Sequence, residues 1–237
     1  HGELEVFHSL ASQVNNLLGD SQAGLAPALQ RFFASVQGVS SDPASVPARQ
    51  VMLSEAGSLV ERFHALDRQL TELRTETNSR LRDTITEING FASAIADLNR
   101  EIVMAQAAAG GEPANDLLDR RDALLTELAE HVTVSVLPQA DGSVNILAGN
   151  GQALVLGPRA NSLSTEPADD DPSRIEITLN SGTNAVVVTK HLVGGTLGGL
   201  VSFQEQVLDP ARNALGRIAV ALADTFNEQH RKGMDLD

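Results

Sequence analysis

The chain has 237 residues, 42% of them hydrophobic, which is enough apolar material to fill one large domain or two small ones. A formal charge of -14 repels phosphate backbones and anionic lipid, so neither nucleic acid nor a membrane is expected as a partner. Seven Phe are the only large aromatics and Cys is absent, which leaves few platforms for flat ligands and excludes disulfides, thiolate metal sites and cysteine nucleophiles.

The start, His1-Gly2-Glu3-Leu4, lacks the basic and apolar runs of a signal peptide, and no window of 18 apolar residues suggests a membrane span. Leu4, Phe7, Ala11, Val14 and Leu18 then recur in steps of three and four, predicting a helix that stops at Gly19-Asp20. A second helix is predicted from Leu25 to Val36. In the following loop, GVSSDPASVPARQ, Ser41 or Asp42 is the expected cap and Pro43 or Pro47 the first-turn residue.

From Ala48 to about Ala108 no proline interrupts the chain. Apolar residues form a seam through Leu59, Phe63, Leu66, Leu70 and Leu73, and again through Ile85, Ile88, Phe91 or Ala92, Ile95, Leu98 and Ile102. Thr77 and Leu81 join the two runs in steps of four, a stutter that locally relaxes supercoiling. One helix over about 47–108 follows, on the order of 90 Å long at 1.5 Å per residue. With no polar ligand inside it, the seam reads as helix packing. After AAAGGEPAND, Pro113 opens a helix to about 131 carrying Leu117, Leu118, Leu124, Leu125 and Leu128, and the short link favours an antiparallel neighbour.

Residues 132–193 contain the β-rich runs VTVSVL, SVNILA, QALVL, RIEITL and AVVVT, separated by turn-forming segments. Beyond the glycine pairs of VGGTLGGL, helical spacing resumes through Leu200, Phe203, Val207, Leu215, Ile218, Leu222 and Phe226, with a bend expected at Pro210. The fold class is therefore mainly α with a β insertion (α+β): an elongated antiparallel helical bundle with one very long helix plus a small antiparallel β subdomain. The expected domains are a helical rod at 1–131, a β-rich insertion at 132–196 and a returning helix at 197–237.

Candidate chemistry is sparse. Gly194, Gly195, Gly198 and Gly199 fail the dinucleotide fingerprint because Thr196 stands at its third position, and no lysine follows as in a Walker loop; they are expected to form a strand-to-helix turn. Six dispersed histidines make no HExxH pair. Asp119, Arg120, Arg121 and Asp122 could be imagined as an acid-base cluster but fit the polar side of a helix, and Asp169, Asp170 and Asp171 lack the pattern of a calcium loop. GxSxG is absent. No catalytic residue, cofactor or metal is expected; an anion loop at the glycines and a coiled-coil adaptor remain alternatives.

Five blocks in order carry a resemblance: NNLLGDSQAGLAPALQRFFASVQGVSSDPASVPARQVMLSEAGSLVERF, TEINGFASAIADLNREI, PANDLLDRRDALLTELAEHVTVSV, DGSVNILAGNGQALVLG and GGTLGGLVSFQEQVLDPARNALGRIAVALADTFNEQHRKGMDL. From about residue 7 onward the chain resembles the hook-associated protein 1 (FlgK) family of the bacterial flagellum. The resemblance implies a structural, non-enzymatic subunit of the junction between hook and filament, placed outside the cell and exported without a cleaved signal peptide. It implies a ring of copies contacting hook protein on one side and the next hook-associated protein on the other. It also implies a fragment lacking both terminal segments, monomeric alone. Within it, the expected helix-packing core is Leu59, Phe63, Leu66, Leu70, Leu73, Leu81, Ile85, Ile88, Ile95, Leu98 and Ile102 against Leu117, Leu124, Leu128, Leu215, Ile218 and Leu222, with Arg120 and Arg121 on a lateral surface.

Overall fold

The computed structural model describes residues 2–20, 24–110 and 112–232, so expectations for His1 and for the closing GMDLD lie outside the described residues. In chain order come α1 (Gly2–Gly19), α2 (Leu25–Ser41), α3 (Val46–Ala108) and α4 (Asn115–His131). Seven strands follow: β1 (Val134–Pro138), β2 (Val144–Ala148), β3 (Gln152–Leu156), β4 (Arg159–Ala160), β5 (Ser162–Pro167), β6 (Ile175–Ser181) and β7 (Asn184–Val187). A 3-10 turn (Thr189–His191), α5 (Gly195–Phe203), a π-helical turn (Gln204–Leu208) and α6 (Asp209–Arg231) complete the described chain.

The 63-residue α3 begins one residue before Pro47, which occupies the first turn, where its missing N–H costs nothing. Its cap is Ser45, whose hydroxyl accepts the Ala48 N–H at 3.3 Å. The expected caps do other work. Ser41 ends α2 and donates to the Gln37 carbonyl at 2.9 Å, while the Asp42 backbone N–H closes that helix on Gly38 O at 3.2 Å.

The chain divides into two compact units, residues 2–9 with 74–204 and residues 10–73 with 205–232. This division cuts across the boundaries expected at 131 and 196, because it follows contacts rather than element type. The second half of α3, together with α4 and α5, belongs with the strands.

In the first unit β1 to β4 form a four-stranded antiparallel sheet in sequence order, and β5 to β7 form a separate three-stranded one. In β2 the inward residues Val144, Ile146 and Ala148 are buried and alternate with half-buried Asn145 and Leu147. A bulge between Ile146 and Leu147 leaves Leu154 of β3 unpaired in register, yet buried. Ile88, Ile95, Ile102, Leu128, Ile146, Val155, Ile177, Leu197, Leu200 and Phe203 are fully enclosed.

The glycine pairs divide their roles. Gly194, at φ 80° and ψ 166°, and Gly195, at φ 59°, form the turn, in backbone regions that side chains resist. Gly198 and Gly199 do not belong to the turn, and no strand directly precedes it; they lie inside α5 and allow close approach. A Cβ on Gly199 would stand 2.6 Å from the Glu3 carbonyl oxygen, and one on Gly198 would stand 2.9 Å from the Val193 carbonyl carbon. Their neighbours are α1 and the preceding loop.

In the second unit Ala28, Phe32 and Leu59 form a buried cluster, with Leu25, Leu29, Val36, Ala56, Phe63, Leu222 and Phe226 packed around it. Leu66 and Leu70 are fully buried, as are Leu10 and Val14 of α1. Ile218 is 42% exposed, against its expected place in the core, while Leu215, three residues earlier on α6, is buried. The irregularity near Pro210 is the π turn before it. Pro210 itself sits in the first turn of α6.

Candidate functional site

Two constellations stand out: an apolar face in the second unit and a row of polar anchors in the first. On α3 the exposed apolar residues Val46, Leu53 and Val60 recur every seven positions, and Leu53 is 67% exposed. Seven residues are close to two helical turns, so the three form one stripe of the kind that meets another helix. Gly57 lies between Leu53 and Val60 on this stretch, with open space around it.

Val60 also borders an apolar cleft of about 340 Å³, lined by Phe32, Ala56, Leu59, Phe63 and His64 on one side and Ala219, Leu222, Ala223 and Phe226 on the other. The Phe32 and Phe226 rings, 5.6 Å apart, floor it. Phe33, Val51, Ile218 and Val220 add exposed apolar side chains to the same unit. An exposed apolar stripe that meets an apolar cleft marks a surface made to be covered.

In the first unit α3 buries more polar groups than Thr77, the one polar residue of the seam read from the sequence. Arg74, Thr77, Asn78, Thr84 and Asn99 are buried on it. Asn78 donates to the Ser173 carbonyl at 2.9 Å. Asn89 both accepts from the Leu163 N–H and donates to the Leu163 carbonyl, each at 2.8 Å, so its amide acts as a short strand on the outer edge of β5. Asn99 does the same at Val144, accepting at 3.1 Å and donating at 2.8 Å, and donates to the Gly157 carbonyl at 2.7 Å. The three asparagines are spaced by about three turns, placing them about 15–17 Å apart on one helical face. Their legible signal is asparagine, a poor helix-interior residue, recurring in phase with the seam.

Arg121 parts from Arg120 here. Arg120 is exposed beside a concavity of about 440 Å³ at the start of α4, with Asn115 and Asp116. Arg121, expected on a lateral surface, is only 8% exposed and donates to the Asn99 side chain at 3.3 Å and the Gly142 carbonyl at 2.9 Å. Burial pulls its guanidinium below the ordinary value, opposed by Asp122. Arg121 therefore cannot serve as a surface contact.

The acidic loop holds no ion-binding arrangement. Asp171 accepts from the Ser173 hydroxyl at 2.6 Å and pairs with Arg74, and Asp170 pairs with Arg174. The Ser173 hydroxyl first, and then Arg74, hold the Asp171 carboxyl down at about 2. Because the folded value lies below the ordinary 3.8, the ion pair and hydrogen bonds contribute fully above pH 4 and are lost as pH falls from about 4 to about 2. Asp171→Asn is expected to lower the urea midpoint at neutral pH, with the difference from wild type closing by about pH 2; a pH-independent difference would contradict this coupling.

Among the described residues no group of three His, Cys, Asp or Glu side chains is arranged to hold a metal, and no helix is long and apolar enough to cross a membrane. His131 instead stacks on Phe91 at 5.6 Å, with its Nδ1 3.5 Å from Glu87.

The family described as the flagellar hook-associated protein FlgK helical domain matches residues 11–237. The chain belongs to this family. It is 38% identical over 228 residues to flagellar hook-associated protein 1 of Salmonella typhimurium, covering 95% of this chain and 41% of that protein. The Bacillus subtilis protein of the same name is 28% identical over 247 residues, covering 94% of this chain and 48% of the relative. A solved structure described as the flagellar hook junction protein FlgK of Burkholderia pseudomallei superposes with a TM-score of 0.84 at 34% identity, covering 94% of this chain and 41% of that one. The chain thus spans less than half the length of these relatives. Membership of the FlgK helical-domain family sets the chain apart from an unrelated coiled-coil adaptor, and the mainly helical fold with small antiparallel sheets agrees with the FlgK structure.

Proposed function

We propose that the full-length protein is the subunit joining hook to filament, and that the helices of the second unit supply its side-by-side contacts with copies of itself. In this reading a ring of subunits takes hook protein on one side and the next hook-associated protein on the other. Its work is mechanical and involves no catalytic step. The single observation that carries the reading is the heptad stripe of Val46, Leu53 and Val60 running into an open apolar cleft, in a chain of this family. The seam residues Leu66, Leu70, Leu81, Ile85 and Ile88 hold the helices from inside, and exposed Arg120, on the first unit, adds a surface cation for a further lateral contact. A cysteine-free chain suits export unfolded through the flagellar channel, without a cleaved signal peptide.

Leu53→Glu and Val60→Glu test this in the full-length protein. Both sites are exposed, so the fold of the 237-residue chain is expected to change by less than about 0.5 kcal/mol in urea unfolding. Cells carrying either variant are expected to assemble hooks but lose filaments and swimming. Normal filaments with both substitutions present would reject the surface. The 237 residues alone are expected to stay monomeric, since three side chains fall far short of the roughly 1,000 Å² that a stable interface buries. A stable ring in light scattering would contradict that expectation.

A further inference from the structure

The sequence contains two Asn-Gly bonds, Asn89-Gly90 and Asn150-Gly151, and the fold treats them oppositely. Asparagine followed by glycine is the pair most prone to cyclise, because no side chain on the second residue hinders its backbone nitrogen from approaching the amide carbon. At Asn89 both amide atoms are engaged by Leu163 at 2.8 Å, and Gly90 lies within α3. Approach there requires the helix to open.

Asn150 sits in the turn between β2 and β3, where it is exposed, and no hydrogen bond holds its side-chain amide among the described residues. Gly151 has φ 103°, and a Cβ placed on it would meet nothing within 4 Å, so open space surrounds the residue that supplies the attacking nitrogen. Its N–H makes a 3.2 Å bond to Ala148 O, longer than those of its neighbours: Gly149 N–H to Thr133 O at 2.7 Å and Asn150 N–H to His191 O at 2.8 Å.

We propose that Asn150 is a site of spontaneous succinimide formation and deamidation, whereas Asn89 is protected. Solvent base takes the Gly151 amide proton as that nitrogen bonds to the Asn150 side-chain carbonyl carbon. The carbon–nitrogen bond of the side-chain amide breaks, and the nitrogen leaves as ammonia after taking up a proton. Water then adds to either carbonyl of the ring and opens it, giving aspartate or isoaspartate. No oxidant or cofactor is needed. Each event adds one negative charge, and the isoaspartate product inserts a methylene into a turn anchored on Thr133 and His191.

The test is ageing of the folded 237-residue chain in mildly alkaline buffer, followed by trypsin digestion. Peptides 83–100 and 122–159 separate the two sites, and isoaspartyl methyltransferase with labelled methyl donor reports the isomer. The exchange of side-chain NH2 for OH is expected at Asn150 at least about ten-fold faster than at Asn89, because reaction at Asn89 needs local helix opening. N150Q is expected to abolish the product in 122–159. Equal rates at the two sites in the folded chain would overturn the proposal, as would a product in 122–159 that persists in N150Q.

Discussion

Gly195→Ala is expected to destabilise the first unit by more than about 3 kcal/mol, through two penalties that no rotamer change relieves. The first is conformational: at φ 59° an alanine takes a left-handed backbone conformation that costs it about 1–2 kcal/mol. The second is steric, since the added Cβ would stand 2.6 Å from the carbonyl oxygens of both Glu130 and His131. Those atoms are backbone of the last turn of α4, so relief requires moving α5 away from α4. Because a whole domain is stable by only about 5–15 kcal/mol, this loss is large. Far-UV circular dichroism in urea is the suitable readout, since the chain has neither Trp nor Tyr to report by fluorescence. Gly90→Ala supplies the matched control. It lies in α3 with nothing within 4 Å, and the same substitution there is expected to stabilise by about 0.5–1 kcal/mol. A Gly195→Ala midpoint equal to wild type would show that the α4–α5 approach is looser than the geometry requires.

The same glycines show where sequence reading stops. Their number and spacing argue against a nucleotide loop on local grounds, because Thr196 and Leu200 occupy positions that phosphate chemistry reserves for glycine and lysine. What they do instead depends on distant backbone, the end of α4 for Gly195 and α1, almost two hundred residues earlier, for Gly199, and no local pattern encodes either approach. The long helix is legible for the opposite reason. Sixty residues without an interior proline, in phase with a seam, are a local property, and the expected span of about 47–108 differs from Val46–Ala108 by a single residue at its start.

Arg121 and Ile218 illustrate a second limit. A helical wheel places a residue on a face but does not say what that face meets. Arg121 falls on the polar side of α4 and is buried because Asn99 and the Gly142 carbonyl supply acceptors there. Ile218 falls on the apolar spacing of α6 and is exposed, while Leu222 reaches the cleft. The five β-rich runs were equally visible, but their separation into two sheets follows from pairing partners, which periodicity does not specify.

Asn99→Leu is expected to be the most damaging of the three asparagine substitutions on α3, because Asn99 has no exposed surface and makes four hydrogen bonds to three residues. Leucine has comparable bulk but neither donor nor acceptor. It strands the Val144 N–H and carbonyl and the Gly157 carbonyl out of water, and leaves the buried guanidinium of Arg121 with the Gly142 carbonyl alone among these acceptors. Each stranded group costs about 1–3 kcal/mol, and with partial relaxation the sum is expected near 3–5 kcal/mol. Asn89→Leu, at a half-buried site with one residue's backbone as partner, is expected to cost about 1–3 kcal/mol. Hydrogen exchange separates this mechanism from general loosening: the Val144 amide should lose protection in Asn99→Leu, and the Leu163 amide in Asn89→Leu. A double-mutant cycle of Asn99→Ala with Arg121→Ala should give a coupling of about 0.5–3 kcal/mol, because removing either partner alone leaves the other buried and underbonded. Strict additivity in that cycle, with Val144 still protected, would mean that apolar packing on α3, rather than the asparagine amide, sets where β2 sits.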